Sequence, residues 1–398
     1  MDGSPVPPRR KLPLIHLLLL LSLACWAVCL ANVIVNLLVT PRLSRSAAPV
    51  GAAAPRVSIV VPARDEEREI GAAVGSLLSQ DYPDYEVIVV NDRSTDRTGE
   101  ILAALPDPQR RLRVVAGSEP PSGWLGKPHA LALGAREATG ELLLFVDADV
   151  HYHPLALAQA AATIRELQAD FLCLLPRLEG RGFWENVLMP YVIGSFFLGT
   201  GFLANTDWPR WFAVGGGAGN LIRREAYDRL GGHEALKNSV VDDVRLAFAA
   251  RAAGFRTRAA RAEDRVCVRM YRGFREVWNG FSKNTAYVFN GLVGVLLLLL
   301  TAVLFATAIL PPAVLLAAAA GIPVPRADIG IAAGAAGLLL AARVLLALAL
   351  RDPVWPALFH PFMAVAWAGM IGRSLYYRIV RRTLTWRGRE FDARAARF

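Results

Sequence analysis

The stretch VSIVVPARDEE, residues 57–67, decides the fold. Its first seven residues are a short β-branched run, as a parallel strand buried on both faces carries. A helical pattern follows, with Asp65 or Glu66 near its start and Ile70, Val74, Leu77 and Leu78 at helical spacing. EVIVVND (86–92) is a second strand ending in polar residues, and 95–105 a second helix. RLRVVAG (111–117), HALALGAREA (129–138) and ELLLFVDAD (141–149) continue as strand, helix and strand. This alternation predicts an α/β fold built on a Rossmann-like doubly wound sheet. Ligands of such sheets gather at the carboxyl ends of the strands. The acidic residues stand there: Asp65 and Glu66, Asp92, then Asp147 and Asp149.

Outward from this unit the composition changes. Charges crowd residues 56–283 of the 398, and long apolar runs flank them. Residues 13–39 are almost unbroken apolar, longer than the roughly 20 residues that cross a bilayer. Arg9, Arg10 and Lys11 precede the run as in a signal peptide, but it far exceeds the ~7–15 residues of a signal core. We read 1–40 as a tail and uncleaved anchor, and 41–56 as an Ala-rich, Pro-containing linker. The catalytic unit then spans 57–284. Within it, 183–204 turns apolar but carries Trp184, Pro190, Gly194, Gly199 and Gly201, which suits a helix lying in the membrane interface. The unit resumes with GGGAGNLIRREAYDRLGG (215–232).

Three apolar segments, 288–310, 329–350 and 354–376, make a C-terminal membrane region over 285–376, giving two to three transmembrane helices there. The segment 354–376 is the candidate for an interfacial or re-entrant role. Residues 377–398 are a basic tail with Arg378, Arg381, Arg382, Arg387, Arg389, Arg394 and Arg397, cytoplasmic by the positive-inside rule. The net charge of +10 lies largely beside apolar runs, which points to anionic lipid or a diphosphate and not to nucleic acid. The four cysteines have no zinc-like spacing and read as buried reduced thiols.

Several motifs carry chemistry. In FVDADV, two carboxylates one residue apart at a strand end suit Mg²⁺ or Mn²⁺ on a diphosphate, with one also able to meet a ribose. Asp92 is a candidate for nucleoside contact, while Ser94, Thr95 and Asp96 read as caps of the next helix. Asp65 and Glu66 suit the nucleoside or the helix N-terminus alike. Lys127, after a Gly, is a candidate for the nucleotide or a solvated lysine. Asp242 and Asp243 open a helix, as caps or as a general base for an acceptor hydroxyl. In RMYRGFREVWNGFSKN (269–284), Arg272, Arg275 and Lys283 are candidates for the departing diphosphate and Trp278 for the acceptor; a basic aromatic collar at headgroup level accounts for them equally. His151 and His153 read as crevice-edge or surface residues.

PARDEE, NDRSTD, the Gly-Lys pair, DAD, GGGAGN and VDD occur in an order that resembles the family 2 glycosyltransferases of GT-A fold, over about residues 56–284. The resemblance implies Asp65 or Glu66 and Asp92 at the nucleoside. It implies Asp147 and Asp149 at ribose and metal, Gly217 near the acceptor, and Asp243 as base. Asp242 stands where the family often has Glu. Arg272-Gly-Phe-Arg275 is followed by Glu276, not by the Trp of processive polysaccharide synthases, which argues against a polymer product. The FRMY-like stretch, a late His-Pro and Trp386–Arg389 resemble a membrane subgroup of carotenoid (diaponeurosporenoate) glycosyltransferases, with hopanoid-associated transferases as neighbours. The implied substrates are a nucleotide-diphosphate sugar, UDP-linked by expectation, and a lipid or isoprenoid acceptor. The implied place is the cell membrane, multi-pass, with the catalytic domain facing the cytoplasm. The alternatives are a polyprenyl-phosphate sugar transferase and a non-catalytic nucleotide-sugar-binding module.

Overall fold

The computed structural model describes residues 14–44, 54–199, 201–288, 291–381, 383–386 and 389–392. Arg9, Arg10, Lys11, Arg382, Arg387, Arg394, Arg397 and most of the linker lie outside them, as do the side chains of Lys283, Arg378, Arg381 and Arg389. The chain enters through helix α1 (Leu14–Val39) and reaches β1 (Val57–Ala63), all but one of whose residues are buried. Helices α2 (Ile70–Leu78), α3 (Thr98–Ala103) and α4 (Gly126–Glu137) alternate with β2 (Tyr85–Asn91), β3 (Leu112–Ala116) and β4 (Leu142–Phe145). These four strands are parallel in the order β3-β2-β1-β4. Val60 of β1 faces Ile88 of β2 and Phe145 of β4.

The sheet then changes direction. After β5 (Val150–Tyr152) and α5 (Ala156–Glu166) come β6 (Phe171–Leu175) and β7 (Arg177–Leu178). Helices α6 (Phe183–Leu188) and α7 (Pro190–Leu198) follow, then β8 (Asn220–Arg223), α8 (Arg224–Arg229), α9 (Asp242–Ala252), β9 (Thr257–Arg261) and β10 (Val266–Val268). Strand β8 inserts antiparallel between β4 and β6, and β9 closes the seven-stranded sheet; β5, β10 and β7 form a second, small sheet. The predicted strand 141–149 stops at Phe145. The Asp147 N–H leaves the ladder and donates to the Gly217 carbonyl (2.8 Å), so both aspartates stand in a turn beyond the strand. The helix predicted from 95 begins at Thr98, because residues 94–97 bond to the neighbouring loop. That predicted from 129 begins at Gly126, with Pro128 in its first turn, where no N–H is needed.

A buried polar network sets the register at the amino ends of the strands. Glu86 of β2 accepts from Ser58 of β1 (2.7 Å) and from the N–H and hydroxyl of Thr139 (2.8 and 2.6 Å), and the Gly140 N–H donates to Ser58 Oγ (2.7 Å). Fully bonded, such a network specifies one register; left partly bonded, it would oppose folding.

The C-terminal part comprises α10 (Gly273–Val288), α11 (Gly291–Ala319), α12 (Arg326–Leu350) and α13 (His360–Tyr376). Among the described residues three helices are long and apolar enough to cross a membrane, over Leu14–Val39, Leu298–Ala319 and Arg326–Leu350. The apolar segment 183–204 is broken in two at Pro190. Its end is bonded to α1, where the Asn36 amide donates to the carbonyls of Phe197 and Gly199. Edge strand β9 is tied to two of these candidate spans: Arg261 donates its N–H to Pro41 O (2.7 Å), just past α1, and its guanidinium to Ala349 O of α12 (2.6 Å) and to Glu263 (2.7 Å). The tail adds an antiparallel pair of strands, β11 (Thr383–Trp386) and β12 (Arg389–Asp392).

Burial alone would push the Glu86 carboxyl up, but bonds from Thr139 and Ser58 and the charge of Arg56 hold it below the usual carboxylate value. A group lowered on folding contributes stability that is present above its unfolded value and lost as pH falls through the folded one. Glu86→Gln is expected to cost about 1–3 kcal/mol at pH 7. Its Tm deficit against the parent should shrink as thermal unfolding is followed into acid.

Candidate active site

The loops leaving β1 and β2 are interlocked. The Asp65 N–H donates to Ser94 Oγ (3.0 Å), the Thr95 N–H to Asp65 Oδ1 (2.7 Å), and the Glu66 N–H to Thr98 Oγ1 (2.8 Å). Of the three expected caps, Asp96 does accept the Thr98 N–H at the start of α3 (2.9 Å), while Ser94 and Thr95 tie down Asp65 instead. Asp65 takes a left-handed φ of 52° to make this junction. Asp92, 4% exposed at the end of β2, lies between Arg93 (2.9 Å) and Arg64 (3.5 Å), two cations that the sequence reading passed over.

The turn after β4 meets the glycine strap 215–219. A Cβ on Gly217 would stand 2.1 Å from the Asp147 carboxylate, and one on Gly215 would stand 2.2 Å from the Asp243 carbonyl oxygen. Only glycine lets the strap lie between these two acidic segments. Asn220 pins it: its amide donates to Asp243 O (3.1 Å) and its oxygen accepts the Gly216 N–H (3.1 Å). Lys127, in the first turn of α4, lies 2.6 Å from Asp147 and 3.8 Å from Asp242. Lys127, Asp147, Gly217, Asp242 and Asp243 thus line one recess, with Phe145, Asn220 and His233.

The electrostatics follow from this crowding. Burial would pull the Lys127 ammonium down, but Asp147, Asp242 and Asp243 together keep it charged, well above its usual value. Asp242, 2% exposed, is pushed up to about 7 by burial; Lys127 opposes the shift and the charges of Asp243 and Asp147 add to it. Asp243 is only partly buried, so of the pair it is the carboxylate that solvent reaches. Asp149 is likewise pushed up to about 7 by burial and then by Asp147 and Glu66.

Tyr271 completes the acidic side, its hydroxyl pushed up to about 12 by burial and then by Asp149 and Asp147. Its stretch is held by buried Glu185, which accepts from Arg269 Nε and Nη2 (3.0 and 3.1 Å) and from the N–H groups of Arg181 and Gly273 (3.0 Å each). A carboxylate inside an apolar run has to find a cation, and that was the unused signal for Glu185. Arg272 is ion-paired with Glu69, which also lies 3.6 Å from His151 at the crevice edge. Arg275 is exposed. Trp278 stands apart from the acidic turn, its ring against Phe274 and Gly369 of α13. Among the described residues no three His, Cys, Asp or Glu side chains form a ready-made metal cage.

A family model, Glycosyl transferase family 2, matches residues 58–231. Over 131 residues the chain is 37% identical to the poly(ribitol-phosphate) beta-N-acetylglucosaminyltransferase TarS of Staphylococcus aureus (strain Mu50 / ATCC 700699), covering 32% of this chain and 22% of that one. Over 232 residues it is 27% identical to the 4,4'-diaponeurosporenoate glycosyltransferase of Staphylococcus aureus (strain USA300), covering 57% of this chain and 60% of that one. The chain therefore spans less than two thirds of the length of these relatives. Among solved structures, mannosyltransferase PcManGT from Pyrobaculum calidifontis, in complex with GDP-Man and Mn2+, has the same fold at 20% identity and a TM-score of 0.57, over 91% of this chain and 99% of that one. Asp242, Asp243 and Tyr271 lie beyond the stretch that the family model matches.

The strap sets a test of this geometry. Gly217→Ala is expected to turn the Asp147 carboxylate away from Lys127, lowering sugar transfer about 100-fold, as an ~1 Å misplacement does, with little change in Tm. Gly216, whose Cβ would meet nothing within 4 Å, is the control, and Gly216→Ala should leave transfer near the parent rate.

Proposed function

We propose that residues 58–231, which the Glycosyl transferase family 2 model matches and which share the fold of the P. calidifontis enzyme, are the catalytic domain of a membrane-bound inverting glycosyltransferase that moves a hexose from a nucleoside-diphosphate sugar to a lipid or isoprenoid acceptor. The observation that carries this reading is the recess at the end of β4, where Asp147, Asp242 and Asp243 converge on Lys127. UDP-sugars are the first donors to test. GDP-mannose, bound by the P. calidifontis enzyme, is the second.

In this reading the nucleoside lies along the loops after β1 and β2, near Asp65, Glu66 and Asp92. Arg64 and Arg93 flank Asp92 and hold it in place. Lys127 holds Asp147 in place and offsets the charge of the strap side. Arg272 is released from Glu69 to meet the diphosphate, and Arg275 is free in solvent to join it. Asp243 takes the proton from the acceptor hydroxyl as the sugar is displaced in a single inverting step. Gly217 lets the strap pass against Asp147, at the edge of the recess where we place the acceptor. Trp278, packed against Phe274, is the residue we assign to the acceptor tail.

A divalent cation fits the donor set. Asp149 and Asp147 bring neighbouring carboxylates, and burial together with the charges of Asp147 and Glu66 makes the negative charge of Asp149 costly without a counter-ion. Mg²⁺ and Mn²⁺ are commonly held by one or two carboxylates and completed by substrate phosphates. When bound, the ion would neutralise the leaving diphosphate.

The three candidate spans support a multi-pass protein of the cell membrane. In this reading two of them lie between the catalytic domain and the basic tail, so that both belong on one face, which the basic tail makes the cytoplasmic one.

Asp243→Asn is expected to lower transfer to a hydroxyl acceptor about 10²–10⁴-fold. Unchanged transfer would mean that the acceptor is already an anion, such as a polyprenyl phosphate. Asp149→Ala should abolish metal-dependent transfer; full activity in that variant would sink the metal assignment. Since folding raises the Asp149 carboxyl from about 4 to about 7, charging it costs stability as pH rises through 7. Mn²⁺ should therefore bind more tightly with rising pH up to about 7 and level off above, and should raise Tm most in that upper range. Calorimetric titration from pH 6 to 8 measures the first, and thermal unfolding the second.

A further inference from the structure

Arg343 stands on α12, inside a candidate membrane span, and is 4% exposed. Its Nε and Nη1 have no hydrogen-bond partner, and neither does Nδ1 of buried His360. One face of α7 touches both. The Tyr191 ring lies 6.1 Å from that of His360, and a Cβ on Gly194, a turn further on, would stand 2.8 Å from Arg343 Nη1. An ionisable group at this depth pairs with another or marks a ligand's place.

Arg343 lines a recess with Pro190, Leu346, Asp352, Pro353 and Pro356. Asp352 shares the recess, yet Arg343 Nε and Nη1 bond to nothing, Asp352 included. The helix ends at Leu350, on the side that β9 clips to the catalytic domain. Arg343 therefore lies deeper in the membrane, and Asp352, nine residues later, at its edge. A ligand with a deep negative group and an outer positive one matches this arrangement. We propose that the recess seats the head group of a phosphatidylethanolamine-type lipid, its phosphate on Arg343 and its primary ammonium on Asp352. A phosphate supplies the acceptor oxygens that a guanidinium requires. A primary ammonium donates hydrogen bonds to a carboxylate, which a quaternary one does not. A water bridging Arg343 and Asp352 is the competing arrangement.

The test uses the full chain in nanodiscs of phosphatidylcholine alone, or mixed with phosphatidylethanolamine or with phosphatidylglycerol. The expected result is a Tm several degrees higher with phosphatidylethanolamine than with either other lipid, and enrichment of that lipid in the extracted protein by mass spectrometry. Arg343→Gln and Asp352→Asn should each lose the preference. If Arg343→Gln does not fold, Asp352→Asn and the parent protein decide the matter. Equal Tm in the three lipids, or a preference that survives both substitutions, overturns the proposal. Equal protection by inorganic phosphate in lipid-free detergent overturns the head-group assignment.

Discussion

One ammonium group makes the cleft possible. Asp147, Asp242 and Asp243 come from two segments far apart in sequence, and each would repel the others once removed from water. Lys127 lies 2.6 Å from Asp147 and 3.8 Å from Asp242, and so offsets the turn after β4 and the start of α9 together. The strap between them can approach so closely only because it is glycine at 215 and 217. Charge balance and backbone shape therefore define the same recess, and neither would suffice alone.

The distribution of acidity within the cleft follows from burial. Asp242 is shut away and raised, while Asp243 keeps contact with solvent at the mouth. A carboxylate that must meet a substrate is more useful there than one buried against a lysine. On the opposite side, Asp149 lies within the field of Asp147 and Glu66, and Tyr271 faces the same charge. Glu185 fixes that tyrosine indirectly, by gripping Arg269 and the Gly273 N–H on either side of it. The membrane-proximal helix α6 thus positions part of the cleft.

The parallel half of the sheet was legible because β1 and β2 are β-branched runs and β4 an unbroken apolar run, each followed by polar residues. The acids at those ends, Asp92, Asp147 and Asp149, were legible for the same reason. Strand β8 was not: NLIR is four residues long with two apolar, too little for a periodic signal, and its place depends on pairing with both β4 and β6. Asp65 was visible as an acid in a loop, but its engagement by Thr95 depends on two loops meeting in space. Arg64 and Arg93 look like ordinary surface arginines until Asp92 is seen buried between them. Trp278 follows the same rule: it stands in a stretch with Arg275 and Lys283, while its ring packs on Phe274 and on Gly369 of α13.

The grip of Arg261 on Pro41 and Ala349 has a consequence for scale. One residue of an edge strand binds the exit of the first membrane helix and the end of a later one. Fastening at both places ties the catalytic domain to the two helices at a set height. If these helices span a bilayer, as proposed, the distance from membrane surface to cleft is set by the molecule, like the gap of a caliper. A lipid acceptor would then have to carry its reactive group up to that height, so the stand-off of the head becomes a criterion of selection alongside its chemistry.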